Sequence, residues 1–268
     1  MKGNKVIKYL LITVSLLFLF LFLIVPLVTV IVKSLREGFG VYLDSITDPY
    51  TLKALGLTIL ATVVAVVVNT LFGLCAAWAI TRFQFPGKKW LNTLIALPVS
   101  VSPVIAGLAF VLMFGRKGFL YPLFEALHIS VVYAVPGIII ATIFVTFPFV
   151  YREIAPVLEA VGTTEEEAAA SMGANAWTIF TRITFPHIKW SFIYGVVLCA
   201  ARALGEFGAV SSISGHLRGI TNTLPLQVEI LFNEFHYTQA FAASSLLVIF
   251  AVIILIIKSI AGNVMREK

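Results

Sequence analysis

Charge is what this sequence has least of. Asp, Glu, Lys and Arg make up 12% of its 268 residues, about half the share usual in soluble domains. Hydrophobic residues make up 60%, and the mean hydropathy is +1.01. A water-soluble core cannot absorb that much apolar chain, so the composition excludes an ordinary soluble domain and points to an integral membrane protein. Cysteine is nearly absent. Cys75 and Cys199 both lie inside apolar runs, which argues against a disulfide framework or a thiolate metal cluster. His128, His187, His216 and His236 lack ligand spacing and read as interfacial or capping residues, so no metal is expected. No Gly-rich loop leads into Lys-Ser or Lys-Thr, so the chain is not expected to bind ATP in the P-loop manner. Ser211, Ser212 and Ser214 have no base that the sequence identifies. No catalytic residue is assigned, and no enzyme activity is expected of this chain. The formal charge of +6 suggests nucleic acid only at first sight. The basic residues sit scattered at the ends of apolar runs and form no patch. No internal repeat or low-complexity segment is present. The longest loops, 33–54, 152–189 and 213–239, are too short to be independent domains, so 1–268 reads as one membrane domain.

What is present is a series of long apolar runs. A helix needs about 20 apolar residues to cross a bilayer. Six stretches qualify: 9–32, 55–80, 91–114, 131–150, 190–212 and 240–257. A cleaved signal peptide would have an apolar core of roughly 7–15 residues and a small-residue cleavage site. The first run is longer, and Lys33-Ser-Leu-Arg36 is a poor cleavage site, so a retained span is expected. Pro98, Pro103 and Gly107 fall in the third span. Such residues are tolerated at membrane depth where neighbours cover the freed backbone, which predicts a third span buried in protein. Orientation follows from basic residues beside the spans. With both termini inside, the cytoplasmic side holds Lys2, Lys5, Lys8, Arg82, Lys88, Lys89, Arg152, Arg182, Lys189, Lys258, Arg266 and Lys268. The outer side holds Lys33, Arg36, Lys53, Arg116, Lys117 and Arg218. That is 12 against 6, with Arg202 inside a span. The expected fold is an all-α, six-span bundle with a cytoplasmic loop at 152–189.

That loop carries the most structured polar sequence in the chain. Thr164 and Glu167 have capping-box spacing. Glu165, Glu166 and Glu167 suit the positive end of a helix dipole, and Ala168, Ala169 and Ala170 favour helix. Gly173 fits a left-handed helix end. Asn175 is a suitable cap for a second short helix, which Pro186 is expected to break. The alternative is an ordinary amphipathic hairpin between spans.

The loop resembles the EAA loop of ABC-importer permeases: Glu-Ala-Ala, three residues, Gly, nine residues, Ile, one residue, Leu-Pro. Those positions are Glu167, Ala168, Ala169, Gly173, Ile183, Phe185 and Pro186, with Phe185 in place of Leu. The resemblance implies coupling helices that dock into a groove of an ATPase subunit.

The second informative stretch is Arg202-Ala-Leu-Gly-Glu206-Phe207-Gly208. Arg202 lies about a dozen residues into a span starting near Trp190, close to mid-membrane at 1.5 Å per residue. Charges there usually face a cavity or a partner. Four residues apart, Arg202 and Glu206 can pair on one helix face. The pair either neutralises itself at a helix contact or lines or gates an anion path. Gly205 and Gly208 fit both readings, since both favour close helix approach.

This segment resembles oxyanion importers for sulfate, molybdate and tungstate. Its continuation, from Ser214 to Glu234, is similar to W-type permease subunits of sulfate/thiosulfate ABC importers, and the resemblance covers essentially the whole chain. It implies a type I importer permease in a bacterial inner membrane. The implied partners are a second permease of T or U type, two copies of an ATPase carrying ATP and Mg, and a periplasmic or lipid-anchored sulfate-binding protein. This chain itself would bind no cofactor. Two alternatives stay open: a homodimeric molybdate or tungstate permease, and a secondary anion transporter or channel with no ATPase. Sulfate, thiosulfate and molybdate are dianions of similar shape, and the residues do not separate them.

Overall fold

The computed structural model describes residues 5–266. Lys2 and Lys268 of the basic count lie outside the described residues, as do the side chains of Lys5 and Arg266. Among the described residues every regular element is helical. The medium dictates this, because backbone groups in hydrocarbon must be satisfied within their own segment. In chain order the helices are α1 (Ile7–Ser34), α2 (Phe39–Thr47), α3 (Pro49–Arg82), α4 (Lys88–Ser100), α5 (Pro103–Phe114), α6 (Tyr121–Ala126), α7 (Val135–Val161), α8 (Thr164–Ser171), α9 (Ala176–Leu204), α10 (Gly208–Ile213), α11 (Leu224–Asn233) and α12 (Tyr237–Arg266). Helices α1, α3, α7, α9 and α12 are long and apolar enough to cross a membrane one by one.

The core is built where α3, α7 and α9 meet. Asp48 starts α3, accepting from Tyr50 N–H and Thr51 N–H at 3.0 Å each, with Pro49 in the first turn. Its buried face carries Ala54, Ala61, Ala65, Gly73, Ala76 and Ala77, small residues that let backbones approach. A Cβ on Gly73 would lie 2.8 Å from Val150 Cβ, and one on Gly195 would lie 3.1 Å from Val150 Cα. Val150 of α7 is therefore pinched between α3 and α9. Around it pack Ile80, Ile154, Leu158, Ile188 and Cys199. Fully buried Asn69 joins the same helices, its amide donating to Thr146 Oγ1 at 2.8 Å and Ile143 O at 3.2 Å. Polar contacts also reach the peripheral helices: Tyr151 Oη donates to Asn92 Oδ1 of α4 at 2.8 Å, Thr238 of α12 donates to Glu37 at 2.6 Å, and Ser245 of α12 lies 3.0 Å from Tyr42 Oη.

The third span departs from the sequence reading of 91–114. It is two helices, α4 and α5, bent by 109°. Pro103 is the reason: it excludes the α conformation at Ser102, which sits at φ −58°, ψ 129°. Nor is the span buried within this chain. Leu94, Ile105, Leu108 and Leu112 are more than half exposed, and the covered residues are Ile95 and Pro98 of α4 and Ala106 and Gly107 of α5. The bent pair still completes a crossing. Arg82, the last residue of α3, bonds Leu158 near the end of α7, so Val135 starts α7 at the opposite end of the bundle. Residues 83–134 must pass between the two ends.

The fifth span also differs from 190–212. Helix α9 starts at Ala176, runs through Pro186 and stops at Leu204. Pro186 does not break it. A π turn over Phe180–Thr184 widens the helix just before the ring, and Phe185 N–H reaches Phe180 O. This removes the clash a proline makes with a regular preceding turn. Likewise α7 continues to Val161, past the expected end at 150, and leaves a shorter loop.

Candidate functional site

Two clusters of polar residues interrupt the bundle. The first lies at the end where α3 and α7 finish. Helix α8 holds three consecutive carboxylates, and each has a different partner. Glu165 meets His187 Nε2 at 2.9 Å, and both side chains are exposed. Glu167 accepts from Thr163 Oγ1 at 2.6 Å. The cap is thus Thr163 and not Thr164, which lies inside the helix. Only Thr164 has capping-box spacing to Glu167, and the box is not formed: Thr163 is the boundary residue, and its hydroxyl bonds the Glu167 carboxylate and no backbone N–H.

Glu166 faces inward. Its Oε2 lies 2.8 Å from Arg82 Nε, and its Oε1 accepts from Arg82 Nη2 at 2.9 Å and from Thr184 Oγ1 at 2.7 Å. Arg82 Nη1 donates to Leu158 O at 3.0 Å. The Arg82 and Glu166 side chains are 7% and 14% exposed. Helix α8 then ends on Gly173 at φ +86°. Gly173 N–H bonds Ala170 O and Ala174 N–H bonds Ala169 O, both at 3.0 Å, the paired bonds of a Schellman ending. Asn175 caps α9, its Oδ1 accepting from Thr178 N–H at 2.8 Å. Ala169 is buried, Ala168 and Pro186 are exposed, and Ile183 is half-buried in the π turn.

The second cluster sits at a helix break. Arg202 occupies the last turn of α9, and the chain leaves the helix at Gly205. The pair is therefore not on one continuous helix, as its spacing had suggested. Arg202 Nη1 still lies 2.6 Å from Glu206 Oε2, with the arginine side chain 33% exposed and the glutamate 1%. Glu206 Oε1 accepts from Ala209 N–H at 2.8 Å, so the same carboxylate caps α10. Gly208 is close-packed, since its Cβ would fall 3.0 Å from Pro103 Cβ. A Cβ on Gly107 would lie 2.4 Å from Ala209 O. Gly205 is different: an added Cβ meets only Ala201 O, at 3.9 Å, so close approach does not explain it. Phe207 is exposed between the two glycines. The start of α10 thus packs against the bend between α4 and α5, just beyond the Arg202–Glu206 pair.

Residues 69–267 match the family model described as "Binding-protein-dependent transport system inner membrane component". The chain belongs to this family. The permease is 47% identical over 259 residues to the sulfate transport system permease protein CysW of Synechococcus elongatus, covering 97% of this chain and 91% of the relative. It is 36% identical over 244 residues to the sulfate transport system permease protein CysT of Escherichia coli, covering 89% and 88%. Its fold is that of a chain in a bacterial alginate ABC transporter crystallised with an alginate pentasaccharide-bound periplasmic protein. There the TM-score is 0.80 over 97% of this chain and 94% of that one, at 18% identity. The permease is thus a multi-pass, all-α inner membrane component of a transport system.

Several residues of the permease that build these sites escape sequence reasoning. Arg82 reads only as a basic residue ending a span, and nothing links it to a glutamate 84 positions away. Thr184 reads as one polar residue among several. Met172 and Trp177, 83% and 73% exposed, project from the two sides of the Gly173 elbow. Their signal was available: large apolar side chains in the most polar loop. At the opposite end of the bundle, the segment from Ser214 folds into a compact cap. Ser214 Oγ donates to Thr221 O at 2.6 Å, and Leu224 N–H bonds Thr58 Oγ1 of α3 at 2.8 Å. Arg218 closes the cap by bonding Glu234, and that hydrogen bond holds the Glu234 carboxyl below the ordinary carboxylate range.

Proposed function

We propose that this permease forms the anion pathway of an ATP-driven sulfate importer together with a second, non-identical permease chain. The observation carrying this reading is the CysW similarity, which runs across 97% of the chain and includes both polar clusters. A CysT relative aligned over 89% of the chain fits a pair of related but distinct permeases better than a homodimer. Thiosulfate, which has the same charge and similar shape, is included in the substrate class. The loop 162–175 faces the cytoplasm, both termini lie on that side, and α8 with the first turns of α9 docks on an ATPase subunit. The exposed Met172 and Trp177 supply its apolar contact. Two ATPase copies hold ATP and Mg, and this chain binds no cofactor. A binding protein delivers the anion at the face capped by 214–223. Closure of the ATPases draws the coupling segments together and opens the pathway outward. The anion leaves inward after hydrolysis. Arg202, at the contact between two broken spans, is the residue that meets it, with Gly205, Glu206, Phe207 and Gly208 framing its position.

The deciding experiment is uptake of radiolabelled sulfate by a strain lacking this gene, with and without the gene restored. Uptake should return with the gene and be competed by excess thiosulfate more strongly than by molybdate. Molybdate-dominated competition would move the permease to the molybdate class.

Topology is open to a direct check. Gln84 and Ile220 are both exposed and lie at opposite ends of the bundle. A cysteine at Gln84 should react with an impermeant maleimide only from the cytoplasm, and one at Ile220 only from outside. The reverse pattern would place the 162–175 loop outside and end its role with an ATPase.

A further inference from the structure

The Glu166 cluster joins four segments through one carboxylate and one guanidinium. Arg82 ends α3, Leu158 belongs to α7, Glu166 sits in α8 and Thr184 closes the π turn of α9. Arg82 Nη1 and Nη2 each donate a hydrogen bond of 3.0 Å or less, Nε lies 2.8 Å from Glu166 Oε2, and the ion pair is nearly closed to solvent. A surface ion pair contributes little and holds nothing in place. This one is different in kind. The planar guanidinium fixes two oxygens of one helix and a carbonyl of another at once, which an ammonium cannot do. Of its neighbours, Glu167 bonds Thr163 within the loop, and Glu165 reaches His187 of α9 only in a solvent-exposed contact.

We infer that Arg82 and Thr184 are positioning residues that transmit movement of α8 to the spans, with Glu166 as the shared joint. The inference rests on α8 being the ATPase-coupling helix. When α8 is displaced, the Glu166 carboxylate carries the end of α3 through Arg82, the end of α7 through the Leu158 carbonyl and the base of α9 through the Thr184 hydroxyl. Without the joint, α8 keeps only its flanking backbone, the exposed Glu165–His187 contact and the packing of Ala169, and Gly162 (φ +71°) and Gly173 (φ +86°) sit at both of its ends. Docking then persists while the spans no longer follow.

The test uses the complete transporter in proteoliposomes: both permeases, the ATPase and the binding protein. Variants are Arg82→Lys, Thr184→Val and Thr184→Ser. The readouts are ATPase co-purification, ATP hydrolysis and sulfate moved per ATP hydrolysed. Arg82→Lys keeps the charge and loses the fork. It should retain the ATPase while transport per ATP falls about tenfold, within the range of ordinary coupling energies. Thr184→Val should lower the same ratio and Thr184→Ser should restore it. A merely structural joint would lower the amount of assembled complex and leave the ratio at the wild-type value, and that result overturns the inference. If Arg82→Lys fails to assemble, the Thr184 pair decides alone. Failure of the coupling reading itself looks different: Gly173→Val would then leave ATPase association unchanged, whatever the Arg82 and Thr184 ratios.

Discussion

Replacing Gly173 by valine should lower sulfate uptake by at least about tenfold while the permease still inserts and pairs. The argument is purely one of backbone. Nothing lies within 4 Å of a Cβ built on Gly173, so there is no clash to relieve. What valine cannot do cheaply is hold φ +86°. A left-handed conformation costs an ordinary L-residue about 1–2 kcal/mol, and a β-branched one more. Relaxing that angle breaks the bonds from Gly173 and Ala174 N–H to Ala170 and Ala169 O. Helix α8 then leaves its angle to α9, and Met172 and Trp177 no longer present one surface. Gly173→Asn is the control, because asparagine tolerates the left-handed region, and it should stay near wild type. The checks are co-purification of the ATPase and anion uptake in proteoliposomes. Wild-type behaviour of the valine variant would leave the elbow without a coupling role.

The second large effect is expected at Arg202. Its removal leaves the Glu206 carboxylate, 1% exposed, without its counter-charge. Breaking a buried pair from one side costs about 3–5 kcal/mol, so Arg202→Ala should lose most assembled permease. Glu206→Ala is the wrong companion change, since Glu206 Oε1 also caps α10 at Ala209 N–H. Glu206→Gln keeps that acceptor and removes the charge. The Arg202→Ala, Glu206→Gln double variant should therefore regain assembly. On the proposal that Arg202 meets the anion, with a third of its side chain exposed, uptake should stay absent. Recovered uptake would show that the pair only neutralises itself.

How much of this was legible depended on how local each cause was. Span existence followed from apolar length alone. The Asn175 cap and the left-handed Gly173 also followed, because each is decided within a few residues. The Ser102 break was available in principle from Pro103, yet an apolar run hides a bend that hydropathy does not register. Pro186 failed as a helix breaker for a converse reason: a five-residue π turn absorbs it, and no residue type announces that turn. The end of α9 at Gly205 was hidden in the same way, so Arg202 was placed deep inside a helix that in fact stops beside it. The Arg82–Glu166–Thr184 joint was out of reach, since it depends on which helix ends become neighbours. The exposed faces of α4 and α5 are not covered by this chain, and apolar sequence does not say whether lipid or a second chain covers them.

The pinched position of Val150 has a mechanical meaning. Where Gly73 and Gly195 bring backbone against the valine, three helices touch with almost no compressible side chain between them. Soft, rotamer-rich contacts let helices slide, whereas close-packed interiors transmit strain. Val150 lies eight residues along α7 from Leu158, about 12 Å at 1.5 Å per residue. A push received at the Leu158 end would therefore meet no soft layer before the middle of the bundle, which makes Val150 the natural fulcrum for α3, α7 and α9.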